Sequence, residues 1–165
     1  MLDRSLPPRV VSALLAAACA ALLAFAYYAQ YGLGLTPCPL CIFQRLAVLA
    51  LGLVLLGAAL HGARGWAGRG WALLATAVAA VGAALAARHL WIQSLPPDQV
   101  PACGPGLDYL LDSLPAFEVL QEVLAGSGEC AAVDWTLLGL SMPSWTLFAF
   151  VSLGAVALWN GWRRA

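Results

Sequence analysis

Four long apolar stretches, separated by shorter and more polar connections, dominate the pattern of this chain. Each holds about 20 residues, the length that an α-helix needs to cross about 30 Å of hydrocarbon at 1.5 Å per residue. They cover approximately residues 10–30, 41–60, 70–91 and 143–162. The connections are residues 31–40, 61–69 and 92–142. The pattern predicts an all-α membrane protein, in which residues 1–165 form a single domain built on a four-transmembrane-helix bundle.

The longest connection, residues 92–142, has a pattern of its own and holds seven of the eight acidic residues. Apolar residues recur in it at helical spacing. They are Leu107, Leu110, Leu111 and Leu114, followed by Phe117, Leu120, Val123 and Leu124. The spacing predicts two short amphipathic helices, separated at Pro115 and ended by Gly126 and Gly128. Two interpretations remain open: these helices lie on the membrane surface, or they pack on the ends of the long helices.

The composition agrees with a membrane protein and excludes other classes. Hydrophobic residues make up 62% of the chain and charged residues only 10%, whereas soluble domains carry about 25% charged residues. So much apolar sequence also excludes a disordered chain. Lysine is absent, and eight arginines balance eight acids, so the formal net charge is zero. A nucleic-acid partner is excluded because it requires a concentrated basic surface.

The arginines predict how the bundle is oriented. Six of them flank the long stretches on one side, whereas the connections 31–37 and 95–142 contain none. The six are Arg4, Arg9, Arg64, Arg69, Arg163 and Arg164. Positively charged flanks stay in the cytoplasm, so both termini and the 61–69 turn are predicted to be cytoplasmic and the other two connections to be outer loops. A cleaved signal peptide at the first stretch is the alternative, but the stretch is long for one and its removal would leave three spans.

Five cysteines carry candidate chemistry, and the predicted topology sorts them. Cys19 lies in the middle of the first stretch, where a thiol behaves as a small apolar side chain. The other four lie in or beside the outer loops, where an oxidising compartment makes an even set of cysteines indicate disulfides. Cys38 and Cys41 are close enough in sequence to pair with each other, which leaves Cys103 with Cys130. Three pairings are open in principle, and the sequence does not fix the resting one.

The Cys-x-x-Cys spacing of Cys38 and Cys41 favours redox exchange over a structural role. A disulfide that closes over two residues restrains the unfolded chain little, because the stabilisation grows with loop length. Thiols in this spacing often have lowered pKa values, which makes them good nucleophiles and good leaving groups. Cys41 is also predicted to open the second helix, where the helix dipole stabilises a thiolate. The alternative is a non-catalytic membrane module whose disulfides only stiffen the outer loops.

Two polar residues are predicted to lie at the same depth as Cys41. Arg45 follows Cys41 by one helical turn on the same face, and a guanidinium inside a span costs free energy. We interpret Arg45 as holding an anion, either a thiolate or a reduced cofactor oxygen; snorkelling to lipid headgroups is the alternative. His89 lies at the outer end of the third stretch, where a lipid-soluble electron carrier would meet the bundle. An interfacial histidine satisfied by its neighbours is the alternative.

Other cofactors have weak support in the sequence. There is no G-x-G-x-x-G block after a strand and no C-x-x-C-H, so flavin and haem signatures are absent. Structural zinc sites draw on two close pairs of ligands, whereas Cys103 and Cys130 are far apart in the sequence and have no histidine beside them. No metal site is predicted.

Two blocks of the sequence resemble a known family. Residues 37–45 read PCPLCIFQR, residues 126–130 read GSGEC, and Trp135 with residues 138–145 extends the match into the last stretch. Together with the four-stretch spacing, they resemble the disulfide bond formation protein B (DsbB) family, which are quinone reductases of the bacterial inner membrane. The resemblance covers essentially the whole chain.

The resemblance implies a relay of thiol exchange that sustains protein disulfide bond formation. A periplasmic thioredoxin-fold oxidase of the DsbA type would attack Cys103, and the released Cys130 would exchange with Cys38. Cys41 would then face the headgroup of a membrane quinone, either ubiquinone or menaquinone. Reduction of the quinone would restore the Cys38–Cys41 disulfide, so that Cys38–Cys41 and Cys103–Cys130 are the expected redox-active pairs.

The same resemblance implies a quinone site and a location. Arg45 and His89 match family positions that lie near the quinone, and the chain is expected to be a multi-pass protein of the bacterial inner membrane with its cysteine loops in the periplasm. Two related architectures fit less well. In vitamin K epoxide reductase the loop cysteines precede the Cys-x-x-Cys, the reverse of the order here. A reductant-importing transporter needs a cysteine pair within the spans, where this chain has only Cys19.

Overall fold

The structure, a computed structural model, describes residues 6–62, 65–104 and 107–163 and consists mainly of helices. In chain order its elements are α1 (Pro8–Tyr31), α2 (Pro39–His61), α3 (Trp66–Gln93), α4 (Leu107–Ser113), α5 (Ala116–Ala125), α6 (Gly128–Ala131), β1 (Thr136–Leu137), β2 (Leu140–Ser141) and α7 (Met142–Trp162). Helices α1, α2, α3 and α7 are long and apolar enough to cross a membrane. The predicted fold class, an all-α membrane protein with four membrane-spanning helices, is confirmed.

Prolines and glycines set where the long helices begin and end. Pro8, Pro39 and Pro143 occupy the first or second position of α1, α2 and α7, where the missing N–H costs no helical hydrogen bond. Gly62 ends α2 in a left-handed conformation with φ of 60°, which glycine adopts without strain. Because α2 starts at Pro39, before the predicted boundary at residue 41, Cys38 is the N-cap residue of this helix.

Small residues allow the long helices to pack closely. The ring of Phe150 on α7 lies against Gly82 of α3, at the position that a β-carbon would occupy. An added β-carbon at Gly154 would stand 3.0 Å from the β-carbon of Ala79. Cys19 is 1% exposed in this core and packs as a small apolar side chain. Close approach of backbones through small side chains is the usual way in which membrane helices associate.

The connection between α3 and α7 contains the two predicted short helices, α4 and α5. A second apolar core joins them to the ends of the long helices, through Leu110, Val119 and Val123 packed with Leu40 and Ile92. The helices therefore pack on the helix ends, as one of the two interpretations expected. The prediction of which apolar residues these two helices bury was partly wrong. Val119, which was not among them, is buried, whereas two of the predicted residues are 60% and 69% exposed. These are Leu111 and Phe117.

An arginine of α3 anchors the end of α5. The Arg88 guanidinium donates hydrogen bonds from Nε to the carbonyl of Leu124 (2.8 Å) and from Nη2 to the carbonyl of Ala125 (2.9 Å). Its Cζ also lies 4.1 Å from the centre of the Trp91 ring. The last carbonyls of a helix lack intrahelical partners, so a guanidinium is a suitable cap for them. The contact fixes where the chain enters α6.

Two small elements follow that the sequence did not predict. Helix α6 has four residues, and strands β1 and β2 form a two-residue antiparallel hairpin with Thr136 opposite Ser141. Its turn contains Leu138 and Gly139, both with positive φ. The hydroxyl of Ser141 donates to Oε1 of Gln93 at 2.8 Å, which ties the hairpin to the end of α3. Elements this short carry too few residues for a periodic pattern.

Three arginines that are predicted to lie on the cytoplasmic side are found together at the end of the bundle opposite the hairpin. Arg163 donates from Nη2 to the carbonyl of Leu6 (2.9 Å), Arg9 lies beside Gly62, and Arg69 lies beside Gly161. Arg4, Arg64 and Arg164, which the orientation prediction also used, lie outside the described residues.

Candidate functional site

The Cys-x-x-Cys pair lies where α2 begins. Cys38 is the N-cap residue, with φ of −71° and ψ of 164°, and Cys41 lies in the first turn of the helix. Their Sγ atoms are 3.3 Å apart. Cys38 is buried and Cys41 is half-buried. A helix N-terminus stabilises negative charge, so the backbone favours a thiolate at this point.

Cys130 and His89 meet Cys38 at the same place. The two Sγ atoms and a ring nitrogen of His89 all lie within 4.8 Å of one another. Cys130 is 1% exposed and His89 is 2% exposed. Helix α6 brings Cys130 there, and the last turns of α3 bring His89. The group formed by Cys38, Cys41, His89 and Cys130 is called the Cys38 cluster below.

Hydrogen bonds occupy both ring nitrogens of His89. Nε2 lies 3.1 Å from the carbonyl oxygen of Cys130 and 3.8 Å from Sγ of Cys38. Nδ1 lies 3.1 Å from Nε2 of Gln44, whose side chain is 4% exposed. Sequence reasoning missed Gln44, although a buried polar residue inside an apolar span is itself a signal of function. The ring is thus held on both sides, by the Cys130 carbonyl at Nε2 and by the Gln44 amide at Nδ1.

Arg45 reaches across to α1. Its Nη1 donates to Oε1 of Gln30, and its Nη2 donates to the carbonyl oxygen of Ala26 at 3.1 Å. Its Cζ lies 5.5 Å from the centre of the Tyr27 ring. These contacts hold the guanidinium within the bundle beside the cavity described below. Gln30 is a second polar residue that the sequence analysis did not single out.

Cys103 lies apart from the Cys38 cluster, in the loop that precedes α4, and its side chain is exposed. The N–H of Gly128 donates to the carbonyl of Ala102 at 3.2 Å, which holds this loop against the start of α6. A β-carbon at Gly128 would stand 3.1 Å from Sγ of Cys103. Gly128, two residues before Cys130 in the sequence, therefore leaves room for the side chain of Cys103 because it has no side chain of its own.

Cys130 differs electrostatically from an ordinary thiol. The neighbouring sulfur of Cys38 and burial both raise the pKa of Cys130 well above its usual range. The N–H of Cys130 donates to the carbonyl of Ser127 at 2.9 Å, within the turn that opens α6. In the reduced protein Cys130 is therefore held as a thiol beside Cys38.

A cavity of about 670 Å³ adjoins the cluster. Cys38, Cys41, Arg45 and His89 line one end, and the rest of its wall comes mainly from apolar side chains of α1, α2 and α7 and from the segment around Trp135. The ring of Trp135 packs edge-on against Phe25 of α1, with ring centres 5.8 Å apart. The size of the cavity and its mostly apolar wall, with few polar groups at one end, are typical of a site for a small organic molecule.

The structure therefore brings together five of the six predicted site residues. Cys38, Cys41, Cys130 and His89 form one cluster, and Arg45 lies with it at the cavity. Cys103 lies outside the cluster at an exposed position near Cys130. An exposed thiol, a buried thiol and a pair of thiols at a cavity form a series along which disulfides could exchange.

Comparison with known proteins agrees with this arrangement. The family described as disulfide bond formation protein DsbB matches residues 8–160. Disulfide bond formation protein B of Acinetobacter baumannii is 53% identical over 156 residues, covering 94% of this chain and 91% of that protein. The protein of the same name from Methylococcus capsulatus is 54% identical over 145 residues, covering 88% of each. That from Nitrosococcus oceani is 54% identical over 142 residues, covering 86% and 84%.

These matches confirm the resemblance noted from the sequence motifs. The family implies an oxidoreductase role for this protein, whose structure has four candidate membrane spans. With a match over nearly its whole length and relatives at about half identity, the chain belongs to the DsbB family of disulfide bond formation proteins.

Proposed function

We propose that this protein re-oxidises a periplasmic thioredoxin-fold oxidase of the DsbA type and passes the electrons to a membrane quinone. The observation that supports this most strongly is the position of the Cys38–Cys41 pair. Its thiols lie at the end of an apolar cavity and also within reach of a buried cysteine from the outer connection. A structural disulfide has no need of either neighbour.

The first exchange takes place at Cys103. A thiolate of the reduced partner attacks Sγ of Cys103 in the Cys103–Cys130 disulfide, and Cys130 leaves with the electron pair. Exposure of Cys103 and burial of Cys130 favour this direction of attack, because a folded partner reaches only the exposed sulfur.

The second exchange transfers the disulfide to the cluster. Cys130 attacks Sγ of Cys38, the Cys38–Cys130 bond forms, and Cys41 leaves as a thiolate. The second thiol of the partner then displaces Cys103, which attacks Cys130 and releases Cys38. The partner leaves with a disulfide, Cys103–Cys130 is restored, and the two electrons reside on Cys38 and Cys41.

The residues at the cavity fit a quinone. A quinone headgroup is an apolar ring with two carbonyl acceptors on an isoprenoid tail, and the cavity offers an apolar wall with the Arg45 guanidinium at one end. When bound, a quinone supplies an acceptor for two electrons and two protons, the number that a dithiol releases on forming a disulfide. Arg45 would hold the headgroup by a hydrogen bond, and Cys41, the half-buried member of its pair, would be the thiol nearest to it.

The proposal includes an orientation in the bacterial inner membrane. The arginines at the far end of the bundle would lie in the cytoplasm, and the Cys38 cluster and Cys103 would lie at the periplasmic side. This orientation places the thiols in the compartment where protein disulfides form.

The test is quinone reduction by the purified protein in detergent, driven by a reduced DsbA-type partner. The wild type should reduce the quinone with multiple turnovers, and Cys41→Ser and Cys103→Ser should each abolish turnover. Cys19→Ala serves as the matched control, because Cys19 lies in the bundle core and should leave turnover unchanged. If the wild type leaves both the partner and the quinone unchanged, the cysteines are structural and the proposal is wrong.

A further inference from the structure

We infer that His89 stabilises the Cys38 thiolate during the exchange between the two cysteine pairs, and that Gln44 is the positioning residue that holds the ring for this role. The inference rests on the proposed function and adds to it. His89 also lines the cavity, but the polar contacts of its ring are with Cys38, with the carbonyl of Cys130 and with Gln44.

The carbonyl of Cys130 determines which ring nitrogen carries the proton. A carbonyl oxygen only accepts hydrogen bonds, and Nε2 of His89 lies 3.1 Å from it. An unprotonated Nε2 would set two acceptors against each other at a position that is 98% buried, and a buried pair of acceptors is unfavourable. Nε2 is therefore protonated, and in a neutral ring Nδ1 must be the acceptor.

Gln44 completes the arrangement. Nδ1 requires a donor, and the Gln44 side-chain amide supplies one at 3.1 Å. A buried side chain about one turn beyond Cys41 on α2 thereby fixes the plane of a ring on α3. With Nδ1 held by Gln44 and Nε2 held by Cys130, the same N–H faces Sγ of Cys38 at 3.8 Å.

The step that benefits is the release of Cys38. Sγ of Cys103 attacks Sγ of Cys130 in the Cys38–Cys130 disulfide; the Cys103–Cys130 bond forms, the Cys38–Cys130 bond breaks, and Cys38 takes the electron pair. The proton remains on Nε2, which donates a hydrogen bond to the new thiolate. Hydrogen bonds to an ionised group are stronger than those between neutral groups, so the contact favours the products of this exchange.

The first test determines the tautomer by NMR. The chain has two histidines, so His61→Gln, an exposed change at the far end of the bundle, leaves His89 as the only one. ¹⁵N-labelled histidine in this variant should show a proton on Nε2 and a hydrogen-bonded, unprotonated Nδ1. A proton on Nδ1 alone would overturn the inference.

The second test measures the thiolate directly, without partner or quinone. In a full-length background of Cys41→Ser, Cys103→Ser and Cys130→Ser, Cys38 keeps His89 and the backbone carbonyl of residue 130 as neighbours. The rate of Cys38 alkylation by iodoacetamide at fixed pH then reports its thiolate fraction. His89→Phe should slow alkylation about tenfold or more, the effect of losing one hydrogen bond to a charged group.

Gln44→Leu should slow alkylation to a similar extent, and the double variant should be no slower than His89→Phe alone, because Gln44 acts only through His89. Gln121→Leu, an exposed change of the same chemistry on α5, is the control and should have no effect. An unchanged rate in Gln44→Leu, or additive losses in the double variant, would overturn the positioning role.

Gln44→Glu keeps the inference testable if the leucine variant does not fold. A carboxylate accepts hydrogen bonds, so it should draw a second proton onto Nδ1 while Nε2 keeps its own. Alkylation of Cys38 should then stay closer to the wild type than to His89→Phe, and a rate as slow as that of His89→Phe would contradict the role of the Nε2 proton. None of these readouts depends on quinone turnover, so a failed inference is distinguishable from a failed proposed function.

Discussion

Cys38 is the residue at which the two proposed cysteine pairs meet. Its sulfur lies 3.3 Å from that of Cys41 and also lies beside Cys130 and His89. As N-cap residue it has the free N–H groups of the first turn of α2 nearby, and these stabilise negative charge. A sulfur with several neighbours of this kind can serve as an electrophile in one exchange and as a leaving group in the next.

The two outer-loop cysteines should react in a fixed order. In the fully reduced protein at pH 8, N-ethylmaleimide should modify Cys103 before Cys130. Cys103 is exposed, whereas Cys130 is buried and its raised pKa keeps it protonated at that pH. Peptide mass spectrometry after short exposures measures the order, and unfolding in denaturant should remove the difference. Equal rates in the folded protein would contradict the burial of Cys130.

Arg45 should matter for the quinone and not for the partner. Arg45→Met should raise KM for quinone about tenfold or more, because the proposed hydrogen bond from the guanidinium to a quinone carbonyl would be lost. KM for the reduced partner should stay within about twofold, since Arg45 lies in the bundle and Cys103 is at the surface. Arg9→Met, at the opposite end, is the matched control. An equal rise in both KM values would show that Arg45 acts on the fold as a whole.

At the level of single residues, the sequence motifs indicated which side chains to consider but not how they meet. Cys38, His89 and Cys130 are separated by more than 40 residues on three elements, and no local pattern records such a contact. Gln44 lies within the motif at residues 37–45, but its contact with His89 on α3 becomes visible only when the helices are packed together. Arg45 lies one turn after Cys41 on α2, as the spacing indicated, but its partners Gln30 and the carbonyl of Ala26 were not foreseeable from that spacing.

Among the elements, the long helices were predictable because their length and apolar character follow from the bilayer itself. Their ends were less so, since Pro39 extends α2 and makes Cys38 a cap. The short helix α6 depends on tertiary contacts, and the anchoring of the preceding α5 by Arg88 positions it. This element, only four residues long, carries Cys130 into the cluster.

Packing between α3 and α7 requires glycine at position 82. Gly82→Ala should destabilise the protein by about 1–3 kcal/mol, because the added β-carbon would overlap the Phe150 ring and force the two helices apart. Gly70→Ala on the same helix is the control: a β-carbon there meets no atom within 4 Å, and alanine favours a helix over glycine. Thermal unfolding in detergent measures both. Equal stability of the two variants would contradict the close packing described here.

As a whole, the molecule has two chemically different ends. The Cys38 cluster, the cavity and the acidic outer connection lie at one end, and Arg9, Arg69 and Arg163 lie at the other. The apolar bundle lies between them, and in the proposed orientation it would hold the cluster at the periplasmic boundary of the membrane. Composition and arginine placement predicted this polarity, because both follow from the physics of membrane insertion.

The proposed relay requires the two cysteine pairs to exchange through Cys38 and Cys130, and disulfide mapping can detect the bond that this exchange forms. The Cys41→Ser/Cys103→Ser variant keeps both of these thiols and should form an intramolecular Cys38–Cys130 disulfide under a mild oxidant. Cys103→Ser/Cys130→Ser, which keeps the Cys38–Cys41 pair, is the positive control. Mass spectrometry of non-reduced peptides should find the Cys38–Cys130 link in monomeric protein. Free thiols at both positions, under conditions that oxidise the control pair, would show that Cys38 and Cys130 do not exchange.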